Sequence, residues 1–314
     1  MRKSLAQALL CSLVAAAAVT TTARAQNEAV FTQYTIQPFL LNPALAGFDD
    51  VHQIRLNYRS AWTGFPDAPN TYALNYNGPI GKTFGLGGQI LGENVAGVFR
   101  WNAKFAYAFN ADAGEFELGG GFSTGFSNFR LTNSAVDSSV DDTDPRIVEA
   151  LDGNNDFDAA LGFFARYRRQ TFVGLTFPTL ISARLDALES PEVDRGGADH
   201  FILRVGQEIR IRERNFKVTP SVVLSRVFGA PFRADFNAVA SFLDEQLIAG
   251  LGYRAGVGND VSLMIGGKIQ TFRLFYSYDI NFGEFQTYNG GGHELTLGFD
   301  FAGEDKPVDA ARYN

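Results

Sequence analysis

The sequence contains very little cysteine, methionine, tryptophan or charge. It has one cysteine, two methionines and two tryptophans, and only 19% of its residues are charged. The one cysteine, Cys11, lies in a segment that we expect to be removed during export. A mature chain without cysteine excludes disulfide bonds, thiolate metal sites and a cysteine nucleophile. Past the N-terminal segment no apolar run approaches roughly 18 residues, which excludes a bundle of membrane-spanning helices.

The first 25 residues have the features of an export signal. Arg2 and Lys3 precede a short apolar run over residues 5–19, and Ala23-Arg24-Ala25 forms a small-x-small cleavage site. The apolar run is shorter than the roughly 20 residues that a membrane-spanning helix needs. We therefore expect residues 1–25 to be a signal peptide and Gln26 to be the first residue of the mature protein.

The remaining composition is acidic and rich in glycine and aromatic residues. The formal net charge of −7 becomes −10 once Arg2, Lys3 and Arg24 are removed, which argues against nucleic acid as a partner. The chain contains 33 glycines, 29 phenylalanines and 11 tyrosines, a composition typical of a long antiparallel β protein. No shift in composition divides it into two domains.

Apolar and polar residues alternate with a period of two along many segments. In "TFRLFYSYDINF" one face carries Phe272, Leu274, Tyr276, Tyr278, Ile280 and Phe282, and the other carries Arg273, Ser277, Asp279 and Asn281. Segments of this kind, about ten residues long with aromatic residues at their ends, are typical of transmembrane β-barrels. A soluble β-sandwich also alternates, but its core does not require aromatic residues on nearly every strand.

We predict an all-β fold, a transmembrane antiparallel β-barrel of about 14 strands spanning residues 51–302, with a C-terminal tail at 303–314. The predicted strands lie near 51–59, 71–79, 83–93, 97–109, 114–127, 157–168, 170–178, 199–212, 214–225, 232–243, 245–255, 258–268, 271–282 and 292–302. Each long connection (60–70, 128–156, 179–198 and 283–291) follows an odd-numbered strand. Because such barrels have long loops outside the cell and short turns in the periplasm, we expect both ends of the barrel chain to be periplasmic.

The face predicted to line the lumen is basic. Its cations are Arg55, Arg100, Lys104, Arg166, Arg168, Arg204, Arg210, Arg212, Arg233, Arg254, Lys268 and Arg273, and its acids are Glu117, Glu208, Asp235, Asp279, Glu294 and Asp300. One interpretation is an open pore that favours anions. The other is that these arginines form ion pairs across the wall and bind a plug, since a 14-stranded barrel is narrower than larger porins.

Residues 26–50, which we call the leader, contain neither a regular helix nor a strand pattern. Pro38 and Pro43 stiffen the leader, Asn42-Pro43 favours a turn, and Gly47 permits a backbone excursion. A disordered spacer would not need this many aromatic and aliphatic residues. We expect an ordered periplasmic segment that tucks into the mouth of the barrel or presents a docking edge.

Residues suited to catalysis or metal binding are few. His52, His200 and His293 have no serine and acid arrangement nearby in sequence, and Glu294 next to His293 points to the opposite face of a strand. "DGNNDFD" is similar to a calcium loop, but Phe157 occupies the position of the turn glycine and no bidentate glutamate follows. We predict no enzymatic activity, no cofactor and no metal.

Three segments resemble the PorP/SprF-type membrane proteins of the Bacteroidota type IX secretion system. They are "QYTIQPFLLNPALAG" with "YRSAWTGFPDAPNTYALNYNGPI" near the start and "LFYSYDINFGEFQTYNGGGHELTLGFDF" near the end. The resemblance implies an outer-membrane barrel that serves secretion or gliding and helps secreted cargo reach and stay on the cell surface. It also implies contacts with periplasmic components of that machinery.

The sharpest part of the resemblance lies in the leader. We expect its partner-contacting residues to be Gln33, Tyr34, Phe39, Asn42, Pro43 and Gly47. The alternative for the leader is a plug that only stabilises the barrel. For the whole protein, the alternative is a passive or ligand-specific outer-membrane pore.

Overall fold

The structure is a computed structural model that describes residues 31–65, 67–132, 151–184, 193–194, 200–211, 215–227, 230–256, 259–282 and 290–302. The predicted signal peptide and the predicted C-terminal tail lie outside the described residues. Most of the acidic connection predicted at 128–156 also lies outside them, as does Arg212.

The described part of the leader contains three short 3-10 helices, and the rest of the described chain is almost entirely β-strand. The helices are η1 (Gln33–Thr35), η2 (Pro38–Leu40) and η3 (Pro43–Leu45). The strands are β1 (Val51–Ser60), β2 (Asn70–Ile80), β3 (Phe84–Val95), β4 (Val98–Ala113), β5 (Phe116–Leu131), β6 (Asn154–Tyr167), β7 (Thr171–Arg184), β8 (Val193–Asp194), β9 (Phe201–Gln207), β10 (Ile209–Ile211), β11 (Phe216–Arg226), β12 (Arg233–Phe242), β13 (Leu247–Ala255), β14 (Asp260–Ile269), β15 (Phe272–Asn281) and β16 (Gly292–Ala302).

These segments form one closed antiparallel barrel of 14 strands. β9 and β10 are two parts of one barrel strand, interrupted at Glu208, and the short β8 pairs only with the end of β7. The first and last strands pair along their whole length, from Val51 opposite Ala302 to Ser60 opposite His293. β9 pairs with both β7 and β11, so the ring of described strands is closed. The predicted fold class and strand number are confirmed.

Some strands are longer than the alternation predicts. β5 continues to Leu131, β6 begins at Asn154 and β7 continues to Arg184, so the connections predicted at 128–156 and 179–198 are shorter. The extension is polar: Asn128 donates from Nδ2 to Oδ1 of Asn155 at 3.1 Å. Hydropathy alternates only where one face meets lipid, whereas backbone pairing continues beyond the membrane surface. The turn predicted at 111–113 likewise lies inside β4, and residues 114 and 115 make the turn.

The two faces of the wall have the predicted character. Outward aromatic side chains are exposed, for example Phe105 at 60% and Tyr107 at 57%, as expected for contact with lipid. Inward polar side chains are buried, for example Asn57 and Thr296 at 0%. Phe275 is an exception that the pattern did not indicate: it points inward and is 1% exposed.

The two ends of the barrel differ in their connections. The longest ones, at 61–69, 132–153, 185–200 and 282–291, lie at one end, which we call the long-loop end. The opposite, short-turn end carries connections such as 81–83, 114–115 and 270–271, and β1 begins there and β16 ends there. Among the described residues, no helix has the length and apolar character needed to cross a membrane.

We predict that the long-loop end faces outward and the short-turn end faces the periplasm. Cysteines placed at Ser139 and Ala187 should react with a membrane-impermeant maleimide in intact cells, whereas one at Lys82 should react only after lysis. The single natural cysteine lies in the predicted signal peptide, so the background is low. Equal labelling at all three positions in intact cells would contradict the assignment.

Candidate functional site

The leader lies inside the barrel. Gly47 and Asp50 have positive φ values of 64° and 55°, and the chain reverses there from the lumen into β1. From this turn the leader runs back through the lumen, and Thr32 lies near the long-loop end. The described part of the leader therefore occupies the lumen and not the outside of the short-turn end.

The first anchor of the leader is a buried carboxylate cluster at the long-loop end. Thr32 donates its backbone N–H to Oε2 of Glu294 at 2.7 Å and its hydroxyl to Oδ2 of Asp279 at 2.7 Å. Arg59 lies 2.6 Å from Asp279 and 3.2 Å from Glu294. Gln33 donates from Nε2 to the backbone oxygen of Glu294 at 2.9 Å. Hydrogen bonds to charged groups contribute about 1.5–3 kcal/mol each, so this cluster holds the leader firmly.

Tyr34 makes a second polar contact with the wall. Its hydroxyl donates to Oδ2 of Asp235 at 2.9 Å and accepts from Nδ2 of Asn237 at 2.8 Å. Asp235 is also within 3.2 Å of Arg233 and 3.5 Å of Arg254. The buried phenol hydroxyl therefore has both a hydrogen-bond donor and an acceptor as partners. These two bonds fix the orientation of η1 against β12.

An apolar contact follows in the middle of the leader. Ile36 packs against the cluster of Ile248, Met264 and Phe275, together with Val239. This explains why Phe275 points inward on an otherwise polar face. The alternation alone gave no signal for it, because its partner comes from outside the sheet.

The turn at Asn42 forms the third anchor. The Oδ1 of Asn42 accepts from the backbone N–H of Ala44 at 2.9 Å and thereby caps η3. Its Nδ2 donates to the backbone oxygen of Phe163 at 2.9 Å, so one side chain both shapes the turn and binds the wall. Ala44 and Leu45 then pack against Phe164 in a second apolar cluster.

Wall glycines make room for η3 and the segment around it. A Cβ at Gly121 would overlap the backbone of Ala44, and one at Gly162 would overlap the side chain of Asn42. A Cβ at Gly85 would overlap the carbonyl of Ala46. The structure assigns these glycines to close backbone approach, which requires the absence of a side chain.

All six leader residues predicted to contact a partner are engaged with the barrel. Gln33, Tyr34, Asn42 and Pro43 are buried. Phe39 is half-buried and lies over Gly87, and Gly47 packs against the backbone of Gly78. Contact between these residues and a partner protein stays a prediction.

Most lumen cations belong to ion pairs. The pairs include Arg55–Asp300, Arg59–Glu294, Arg100–Glu93, Arg166–Glu117, Arg233–Asp235, Arg254–Asp260 and Arg273–Glu245. This confirms the interpretation that arginines pair across the wall and bind a plug: Arg59 and Arg166 also contact the leader residues Thr32 and Asp49. Arg168 was wrongly placed in the lumen: its side chain is 60% exposed and pairs with Glu115 in the turn after β4.

Two cavities lie on opposite sides of the leader. The outer one, about 500 Å³, is lined by leader residues such as Phe31 and Leu41 and by β3 to β7. The inner one, about 220 Å³, opens at the short-turn end and is lined by Thr35, Phe48 and the wall around β6 to β13. The two cavities share no lining residue, and the leader separates them.

Two of the histidines face away from the lumen. Nδ1 of His52 lies 2.9 Å from the hydroxyl of Tyr76, and Nδ1 of His293 lies 2.7 Å from that of Tyr276. Glu294 points to the opposite face, as predicted. In the described part of the chain no group of three or more His, Cys, Asp or Glu side chains is arranged to hold a metal ion.

The segments that carried the family resemblance meet inside the lumen. Thr32 and Gln33 of the leader contact Asp279 and Glu294, which belong to the C-terminal motif. The family model described as type IX secretion system membrane protein PorP/SprF matches residues 23–299. The chain belongs to the PorP/SprF family. This PorP/SprF protein is an outer-membrane β-barrel of the type IX secretion system.

Solved structures with a similar barrel are distant in sequence. The outer membrane protein Omp33 of Acinetobacter baumannii is 8% identical, with a TM-score of 0.49 over 80% of this chain and 98% of that one. The P. putida toluene transporter TodX is 10% identical, with a TM-score of 0.49 over 85% and 94%. The CymD monoaromatic hydrocarbon channel is 11% identical, with a TM-score of 0.48 over 90% and 95%. No curated protein matches the PorP/SprF chain.

The glycine contacts predict a difference between two neighbouring positions. Gly121→Ala should lower the temperature at which the purified barrel loses its compact migration in SDS gels, because overpacking costs about 1–3 kcal/mol. Gly120→Ala is the matched control, since a Cβ there meets no atom within 4 Å. Protease should also trim the leader faster in Gly121→Ala. Equal behaviour of the two variants would show that the leader does not pack against β5.

Glu245, in the turn after β12, makes the stability of the short-turn end depend on pH. Burial alone would raise the pKa of this carboxyl group, but Lys217 at 2.9 Å and Arg273 at 3.0 Å outweigh burial and hold it at about 2. This folded value lies below the unfolded pKa of about 4.3. The ion pairs therefore stabilise the fold above about pH 4.3, and their contribution is lost as the pH falls towards 2.

We expect Glu245→Gln to lower the free energy of unfolding by an amount on the order of 2 kcal/mol at neutral pH. The difference from the unsubstituted protein should disappear near pH 2. Urea unfolding in detergent across this pH range measures both quantities. Asp244→Asn, at the exposed neighbouring position, is the control and should leave stability unchanged; a pH-independent effect of Glu245→Gln would refute the ion-pair explanation.

Proposed function

We propose that this PorP/SprF protein is a non-enzymatic barrel that supports the secretion and surface attachment of particular partner proteins. It does so by binding these proteins and the periplasmic components of the secretion or gliding machinery. The observation that carries the proposal is the occupied lumen, in which the leader separates two cavities. A protein that binds partners has no need of an open path, whereas a passive pore does.

The strength of the leader's attachment supports this choice over the pore. Its contacts are spread over both ends of the lumen, from the carboxylates of Asp279 and Glu294 to the backbone of Gly78. They include hydrogen bonds to buried charged groups, which are costly to break without replacement. Opening a channel would require many of these contacts to be lost together.

The surfaces left for partners are the two ends of the barrel. At the short-turn end the exposed charges include Arg168 and Arg169, each 60% exposed, and Glu115, at 54%. Exposed charges of both signs suit polar contacts with periplasmic proteins, which steer association and specificity. The segment 128–156 is acidic in sequence, and we propose that its carboxylates contribute to the binding of secreted cargo.

Deletion of the gene tests the function. We expect a defined subset of secreted proteins to disappear from the cell surface, as measured by surface proteomics, and to return when the unsubstituted gene is restored. A version without residues 31–46 that keeps the signal peptide should insert as a barrel but fail to restore display. Complementation by Gly120→Ala, which leaves the leader seated, is the positive control.

Conductance in planar bilayers separates this function from the pore. The unsubstituted protein should conduct little, and the version without residues 31–46 should conduct more, because the leader no longer separates the two cavities. Steady conductance by the unsubstituted protein, together with normal surface display after gene deletion, would favour the passive or ligand-specific pore.

A further inference from the structure

The cavity at the short-turn end is lined by more cations than acids. Its lining includes Arg166, Arg169, Arg204, Lys217 and Arg273. The acidic residues in the same lining are Asp49, Glu208 and Glu245. Cations outnumber acids at the surface of a cavity of only about 220 Å³, so the local field favours an anion.

Four of these five cations have carboxylate partners. Arg166 pairs with Asp49 and Glu117, and Arg169 pairs with Glu117. Lys217 lies 3.4 Å from Glu208 and 2.9 Å from Glu245, and Arg273 lies 3.0 Å from Glu245. These carboxylates balance the charges of the four cations and hold their side chains in place around the cavity.

Arg204 is different. Among the described residues, no carboxylate lies within ion-pair distance of it. Its Nε is buried and has no hydrogen-bond partner, and its Nη2 reaches only the backbone oxygen of Thr35, at 3.4 Å. Its guanidinium stacks on Phe172, with Cζ 4.8 Å from the ring centroid, which fixes the plane of the group.

A guanidinium held this way has unused donors in a fixed direction. Arginine carries five N–H groups in a planar fork that matches the two oxygens of a carboxylate or phosphate. An unpaired buried charge is costly, and an oxyanion in the cavity would compensate it. The cavity is smaller than typical ligand pockets of about 300–1,000 Å³, so it suits one oxyanion group and not a large molecule.

We propose that the cavity at the short-turn end is a binding site for an oxyanion of the carboxylate or phosphate type, with Arg204 as its main ligand. The bound group lies between the wall and the leader, since Thr35 and Asp49 line the same cavity. Two sources share this chemistry: a free small anion and the C-terminal carboxylate of a peptide. The site does not depend on the role of the protein in secretion.

Thermal unfolding of the full-length barrel in detergent tests the site. The probes are inorganic phosphate, acetate, and a short peptide with either a free or an amidated C-terminus, all at constant ionic strength set with chloride. A ligand that binds only the folded state raises the unfolding temperature. We expect a rise of a few degrees with phosphate or with the free-acid peptide, and none with the amidated peptide.

Substitutions at Arg204 decide whether the effect belongs to this cavity. Arg204→Met keeps an apolar stem over Phe172 and should weaken binding at least tenfold. Arg168→Met removes an exposed arginine that does not line the cavity, and it should bind as the unsubstituted protein does. Arg204→Lys keeps the charge but loses the fork, and should bind several-fold more weakly.

The pattern across probes identifies the source. Stabilisation by the free-acid peptide but not by phosphate points to a peptide C-terminus, and stabilisation by phosphate or acetate points to a small anion. The proposal is overturned if no probe stabilises the protein, or if Arg204→Met binds with unchanged affinity. If Arg204→Met does not fold, unchanged affinity in Arg204→Lys overturns it in the same way.

Discussion

The closure of β1 on β16 is the constraint on which the rest of the structure depends. In lipid every backbone N–H and C=O must be paired within the protein, and a sheet achieves this only when it has no free edge. Closure brings the first and last strands together along ten paired positions, from Val51 with Ala302 to Ser60 with His293. It also places Arg59, Asp279 and Glu294 around one point of the lumen, although they are far apart in sequence.

Closure creates a lumen lined by polar side chains, and these side chains need hydrogen-bond partners. Inward carboxylates such as Asp279 and Glu294 cannot remain buried without donors. The leader supplies donors through the backbone N–H groups of Thr32 and Gln33 and the hydroxyl of Thr32. The relation is reciprocal, because each 3-10 helix of the leader is only three residues long and would not be stable without packing against the wall. The leader and the wall therefore stabilise each other, and without the leader water must replace its donors to the inward carboxylates.

The two ends of the leader are held by different chemistry. Near the long-loop end the contacts are charged and hydrogen-bonded, at Thr32, Gln33 and Tyr34. Near the short-turn end Ala44 and Gly47 approach wall backbone made accessible by glycines such as Gly121 and Gly78, and Asp49 adds an ion pair with Arg166. Steric contacts of this kind are insensitive to salt and pH.

Local patterns in the sequence determined the strand number, the two faces of each strand and the sorting of long and short connections. They do so because a period of two and a strand length matched to the membrane are properties of consecutive residues. The sequence also identified Gln33, Tyr34 and Asn42 as ordered. It did not indicate that Phe275 points inward, that Gly121 and Gly162 accommodate the leader, or that Arg204 lacks a carboxylate. Only the tertiary structure decided these three features, because each depends on contacts that form when the barrel closes around the leader. Such contacts join residues far apart in sequence: Thr32 and Glu294, for example, are 262 positions apart.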